Sequence, residues 1–148
     1  MTDFPHVLLE NRNGVLFLDG VSSLQLTREF DTPLYVMCER RVRENYRNLH
    51  EALMKHYRKI RIYYSAKANT NLSILKILNN EGACVDTLSP GEIYLALEAG
   101  FSPEKILFTG TSVRNDELRF LVESKVTINV DSVSQLKRLL GFHIPHKV

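Results

Sequence analysis

A period runs through the chain from residue 60 onward. Apolar, β-like runs give way to polar residues at Lys67, Ser89, Gly110 and Asp131, which stand 22, 21 and 21 positions apart. Between them lie stretches with helical patterning. A strand, a short loop and a helix that recur at this interval are a β-α unit, and repeated units predict a parallel sheet. Two architectures accommodate such a chain: a doubly wound open sheet or a (β/α) barrel. The even spacing and the absence of a GxGxxG turn favour the barrel.

Local signals place the elements. ERRVRENYRNLHEALMKHY puts Val42, Tyr46, Leu49, Leu53 and His56/Tyr57 on one helical stripe. IRIYYSAKA reads as a strand. NLSILKILNNEG reads as a helix with Asn71 as N-cap and Gly82 as its stop. ACVDTLS is the next strand. SPGEIYLALEAG has Ser89 as N-cap, Pro90 at the first helical position and Glu92 to complete a capping box, with Gly100 ending the helix. KILFTG and VTINVD are further strands, each followed by a helix, and Ser132 with Gln135 repeats the capping-box pattern.

The first thirty-odd residues read differently. HVLLE and VLFLDG are β-like runs joined by NRNG, a hairpin signal. TPLYVMC reads as another strand, and nothing reads as helical before Glu39. The organisation expected is therefore a β segment over residues 1–33 followed by barrel units over residues 34–148. Four units do not close an eight-stranded barrel. HIPHKV at the end reads as the start of a fifth strand, with a short fraying tail as the alternative. The expectation is therefore the N-terminal portion of a longer protein, or one half that needs a partner, forming part of a (β/α)8 TIM-type barrel.

Bulk properties narrow the function classes. The net charge is +2, which gives no argument for nucleic acid or an anionic membrane. Arg40, Arg41, Arg43 and Arg47 are interleaved with Glu39, Glu44 and Glu51 at i,i+4 spacing, the pattern of a solvated helix face. The N-terminus lacks the basic start and long apolar run of a signal peptide or membrane span. Cys38 and Cys84 have no metal or redox spacing, and reduced thiols in a cytoplasmic protein are the plain reading.

In parallel α/β folds ligands gather at the carboxyl ends of strands. That edge collects Lys67, Asn69, Asp86, Ser89, Thr109, Gly110, Asn129 and Asp131. Caps and turns account for most of them. Lys67 and Asp86 have no such role. A lysine amine is a nucleophile toward aldehydes, and pyridoxal phosphate is the commonest enzymic aldehyde of this kind. An aspartate on the neighbouring strand orients such an amine or exchanges protons with it. Simple charge pairing favours the ammonium, so Asp86 is expected to hold Lys67 rather than activate it.

The blocks TPLYVMCERRVRENYRNLHEAL, YYSAKANTNLSILKIL, GACVDTLSPGEIYLALEAGF, KILFTG and INVDSVSQL, in that order, resemble the N-terminal half of the diaminopimelate decarboxylases. These belong to the fold-type III, alanine-racemase-like pyridoxal phosphate enzymes. The AKAN block followed by VDTLSPGE, with 19 positions from lysine to aspartate, carries most of the likeness. By that resemblance Lys67 matches the lysine that bonds the cofactor aldehyde, and Asp86 matches an acidic residue close to it and to the cofactor ring. Tyr64 and Ala66 match positions near the pocket wall or core. Ser89 and Glu92 match a stretch that caps a helix, and the resemblance implies that residues 1–33 belong to a second, β-rich domain.

The resemblance also implies a homodimer that decarboxylates meso-diaminopimelate to L-lysine. It implies a ring-stacking histidine, a phosphate loop, a ring-nitrogen acid and a cysteine–tyrosine region across the dimer, none of which matches anything in these residues. Ser65 departs from the small or apolar residue usual at its position. The competing readings are an ornithine, arginine or carboxynorspermidine decarboxylase, or a non-catalytic barrel homologue that binds a partner. Residues 1–148 alone are expected to be inactive.

Overall fold

The structure is a computed structural model, and it describes residues 8–142. The strand expected over HIPHKV lies outside the described residues. The chain divides into two compact units, with the division between Asn45 and Tyr46.

The first unit holds an antiparallel sheet of β1 (Leu9–Arg12), β2 (Val15–Leu18) and β3 (Val21–Ser22). Arg12 pairs with Val15, so Asn13 and Gly14 alone make the β1–β2 turn. Both have positive φ, 53° and 85°, as the tight primed hairpin turn requires. The expected hairpin is therefore present. The helix that comes next, α1 (Ser23–Phe30), departs from the expectation of no helix before Glu39. Its residues SLQLTREF are mostly good helix formers, and the segment is too short for its period to stand out in the sequence.

LYVMC also departs from the reading. Residues 34–38 carry no strand hydrogen bonding among the described residues, and Tyr35 is 96% exposed. A strand exists only through a neighbour's ladder, so apolar β-formers without a partner stay irregular. Helix α2 (Glu39–Met54) starts where expected but ends before His56 and Tyr57, which the expected stripe included. Its i,i+4 pairing is partly realised. Arg43 bonds Glu39 and Arg40 approaches Glu44, but Arg40 also binds Asp19, and Arg47 binds Glu81.

The second unit is the repeat. Strands β4 (Tyr63–Ser65), β5 (Cys84–Thr87), β6 (Ile106–Phe108) and β7 (Thr127–Ile128) form one parallel sheet in the order β4-β5-β6-β7. Helices α3 (Leu72–Asn80), α4 (Pro90–Glu98), α5 (Asn115–Glu123) and α6 (Val133–Leu140) succeed them in turn. Strict sequential order with right-handed crossovers places all four helices on one face of the sheet. A doubly wound sheet needs a reversal of strand order, and there is none here. The barrel reading of the sequence is borne out.

Period-2 alternation then gives the sheet two unlike faces. Val85, Thr87, Ile106, Phe108 and Ile128 are buried under the helices, against Leu75, Ile93, Leu118, Leu121 and Leu139. Thr87 is the polar exception. Its hydroxyl donates to the Leu107 carbonyl at 3.1 Å, which removes the cost of burying it. The opposite face carries Tyr63, Ser65, Asp86, Leu107 and Thr127, all only partly covered, and Cys84, buried at the start of β5.

Helix ends match the sequence closely. Asn71 caps α3 by accepting from the Ser73 N–H at 2.9 Å, and Gly82 ends the helix at a φ of 91°. Ser89 and Ser132 cap α4 and α6 by accepting from the Glu92 and Gln135 N–H groups, both at 3.2 Å. The expected capping boxes close one residue further out than the usual pattern. Glu92 Oε2 accepts from the Leu88 N–H at 2.7 Å, and Gln135 Oε1 from the Asp131 N–H at 2.8 Å. Two units thus fasten the loop between strand and helix by the same device.

Candidate active site

The strand expected over IRIYYSAKA is shorter than its apolar pattern. Regular pairing covers only Tyr63–Ser65, and Ala66–Ala68 turn into one 3-10 turn. The Asn69 N–H closes that turn on the Ala66 carbonyl at 3.1 Å. Ala66 is fully buried and Lys67 is exposed at the carboxyl edge of the sheet. The turn thus anchors on a small buried residue and presents the next side chain to solvent. Among the described residues no hydrogen bond or ion pair engages the Lys67 amine.

Tyr64 braces this turn from the other side. It is paired with Val85, on the helix-covered face, and its hydroxyl donates to the Asn69 carbonyl at 3.1 Å. Burial pushes the Tyr64 phenol upward, so it stays a neutral donor. Asn69 in turn accepts from the Asn71 N–H at 2.9 Å, a turn-forming bond that leads into the α3 cap.

Asp86 sits on the opposite, less covered face, directly across from Ser65 and next to Leu107 in the ladder. Its Oδ1 accepts from the Thr109 hydroxyl at 2.6 Å, and its Oδ2 from the Ser65 hydroxyl at 3.3 Å. The carboxylate is therefore held from the strands on both sides. These hydroxyls, not Lys67, are its hydrogen-bond partners in this structure. Lys67 lies two residues beyond Ser65, on the turn at the same edge.

The other residues at this edge have structural work. A Cβ added to Gly110 meets the Phe108 ring at 2.4 Å and the Leu88 carbonyl at 2.5 Å. Gly110 thus serves a close approach of two loops rather than a special φ. The Asn129 N–H extends the β6–β7 ladder to the Phe108 carbonyl at 2.8 Å, and Asp131 offers its N–H to Gln135. Ser89 and Glu92 act on the α4 terminus.

Sequence reasoning singled out Lys67 and Asp86 but not the link of Ser65 and Thr109 to the carboxylate. The period contains that signal. Residues 65, 86 and 107 are 21 apart and fall side by side in the sheet, so polar residues at this spacing, or two further along, share a face.

Among the described residues no group of acidic, histidine or cysteine side chains is arranged to hold a metal ion, and no helix is long and apolar enough to cross a membrane. Cys38 and Cys84 are free thiols, and Cys84 is buried. The chemistry present is an exposed primary amine at the carboxyl edge and a fixed carboxylate on the adjacent strand. That donor set fits the aldehyde end of pyridoxal phosphate, which needs an amine free to bond it and an acidic neighbour to balance the positive charge.

Comparison with known proteins agrees with this chemistry. Residues 39–148 match the family model described as pyridoxal-dependent decarboxylase, pyridoxal binding domain. A diaminopimelate decarboxylase of Methanothermobacter thermautotrophicus is 51% identical over 136 residues, covering 92% of this chain and 32% of the relative. The crystal structure of diaminopimelate decarboxylase from M. jannaschii superposes with a TM-score of 0.84 at 33% identity, covering 89% of this chain and 32% of the other. A second structure of that enzyme, in co-complex with L-lysine, gives 0.83 at 33% identity, with coverages of 88% and 31%. The chain spans about a third of the length of these relatives. With the amine and carboxylate in place, and with a match that starts at α2 and takes in every β-α unit, the chain belongs to the pyridoxal-dependent decarboxylases and carries sequence of their pyridoxal-binding domain.

Proposed function

We propose that this chain contributes the lysine-bearing part of the active site to a pyridoxal phosphate-dependent decarboxylase that converts meso-diaminopimelate to L-lysine. The observation that carries this reading is the exposed Lys67 amine, unpartnered among the described residues, on a turn at the carboxyl edge beside a carboxylate fixed on the next strand. The choice of diaminopimelate rests on the relatives' names and on the L-lysine complex of the M. jannaschii enzyme.

Bound pyridoxal phosphate supplies an electrophilic aldehyde and an electron-withdrawing ring that takes up the electron pair left when carbon dioxide departs. The residues of this chain hold that chemistry in place and serve it with protons. Lys67 would hold the cofactor at the sheet edge through Nζ, the atom placed to bond its aldehyde. The same Nζ, when not bonded to the cofactor, would be a group at that edge able to hold or return a proton. Asp86, held on both oxygens, offers negative charge from the central part of the sheet. The 66–69 turn, braced by the Tyr64 hydroxyl, keeps the lysine stem at its station.

Residues beyond those of this chain complete the centre, and the working assembly is a cytoplasmic homodimer. The chain alone is expected to show no turnover. Borohydride reduction of the intact, cofactor-loaded protein followed by peptide mapping tests the assignment: the adduct is expected on Lys67, and an adduct on another lysine overturns it. Carbon dioxide release from a panel of meso-diaminopimelate, ornithine, arginine and carboxynorspermidine tests the substrate, with meso-diaminopimelate expected to be turned over most efficiently.

A further inference from the structure

Asp86 is the one acidic side chain on the less covered face of the sheet, among the described residues of β4 to β7. Its surroundings are specific. Thr109, just past β6, donates its hydroxyl to Oδ1 at 2.6 Å, and Ser65, at the end of β4, donates to Oδ2 at 3.3 Å. The register places Ser65 directly opposite Asp86, so the contact arises from the ladder itself. The backbone N–H of Thr109 bonds the Thr87 carbonyl at 2.9 Å, which fixes Thr109 to the β5 side of the edge. A carboxylate gripped by hydroxyl donors from both flanking strands has one orientation.

We propose that Ser65 and Thr109 are positioning residues that act through Asp86. Together they form a two-hydroxyl clamp that keeps its charge directed at the edge where Lys67 works. The inference rests on the proposed lysine-bearing role and goes beyond it, because it assigns function to two side chains whose hydroxyls bond Asp86 rather than Lys67. Thr109 makes the shorter bond and is the dominant arm. Ser65 is the lesser one. The partner in this clamp is charge: the positive nitrogen of Lys67, free or bonded to the cofactor aldehyde.

Thr109→Val keeps the shape and removes the donor. Thr109→Ser keeps the donor and loses a methyl. Ser65→Ala removes the second arm. Each is made in the intact, cofactor-loaded protein, with three readouts: the visible absorbance band of the lysine-bound cofactor at fixed pH, the affinity of the apoprotein for pyridoxal phosphate, and kcat separately from KM. The expected result is a shifted band and a kcat about tenfold lower in Thr109→Val, as loss of a charge-assisted hydrogen bond implies, with KM little changed. Thr109→Ser is expected to restore the wild-type band, and Ser65→Ala to give a smaller shift in the same direction.

A wild-type band and kcat in Thr109→Val overturn the clamp, as does Thr109→Ser behaving like Thr109→Val, since size rather than the hydroxyl is then the cause. If Thr109→Val does not fold, Ser65→Ala and Thr109→Ser carry the test. In that case an unchanged band in Ser65→Ala overturns the clamp. Borohydride mapping of the wild type separates the two levels. An adduct off Lys67 overturns the parent reading, whereas an adduct on Lys67 with unshifted variant spectra overturns the clamp alone.

Discussion

The two faces of the parallel sheet are built from the same strands and do opposite things. Under the helices, Val85, Ile106 and Phe108 are at most 1% exposed, and the one polar side chain these strands bury there, Thr87, is hydrogen-bonded. On the other face the same strands present Ser65, Asp86, Leu107 and Thr127, half-covered and mostly polar. One residue step along a strand moves from one regime to the other. The helix-covered face carries the cohesion of the unit, while the other is free to hold groups that a core does not tolerate unless they are paired.

That contrast can be broken by substitution. Phe108→Ala, on the helix side, is expected to cost about 3–5 kcal/mol, since it removes a fully buried ring from a packed core; urea denaturation of the intact protein reads it. Its inner-face counterpart, Ser65→Ala, is expected to change stability by under about 1 kcal/mol, because it loses one long hydrogen bond at a partly open site. Comparable losses from the two would erase the distinction between the faces.

Gly110→Ala lies where the two regimes meet. Its added Cβ collides with the Phe108 ring and the Leu88 carbonyl, so a loss of about 1–3 kcal/mol is expected, the usual cost of overpacking. Ser89→Ala removes the α4 cap on the helix side and is expected to cost about 1 kcal/mol, a smaller change in the same denaturation midpoint.

The smallest effect belongs to neither face. Arg114 and Asp116 form a fully solvated pair at the α5 terminus, and the Arg114 guanidinium holds the Asp116 carboxyl below the ordinary aspartate range. A depressed carboxyl stabilises the fold above its unfolded pKa and loses that contribution as pH falls through the folded value. Solvent screens this pair, so Asp116→Asn is expected to leave the denaturation midpoint unchanged within error at neutral pH, with any difference vanishing in acid.

The sequence by itself determined the repeat, and with it most of the second unit. A 21-residue β-α period, caps at Asn71, Ser89 and Ser132, and glycine stops at Gly82 and Gly100 are local features with local physics, and each is where the residues placed it. The parallel sheet is the consequence, because β-α units leave no other connection. Lys67 and Asp86 stood out for the same reason: neither has a local role to explain it.

Only the tertiary structure decided what depends on a partner. LYVMC has the composition of a strand and is not one, because a strand is a relation between two segments. Residues 66–68 leave the ladder early and turn, although their apolar pattern continues. Ser65 and Thr109, ordinary in isolation, converge on one carboxylate from 21 and 23 residues away. Hydrogen bonds across strands depend on register, and register is set by the packing of the whole sheet rather than by any one stretch of the chain.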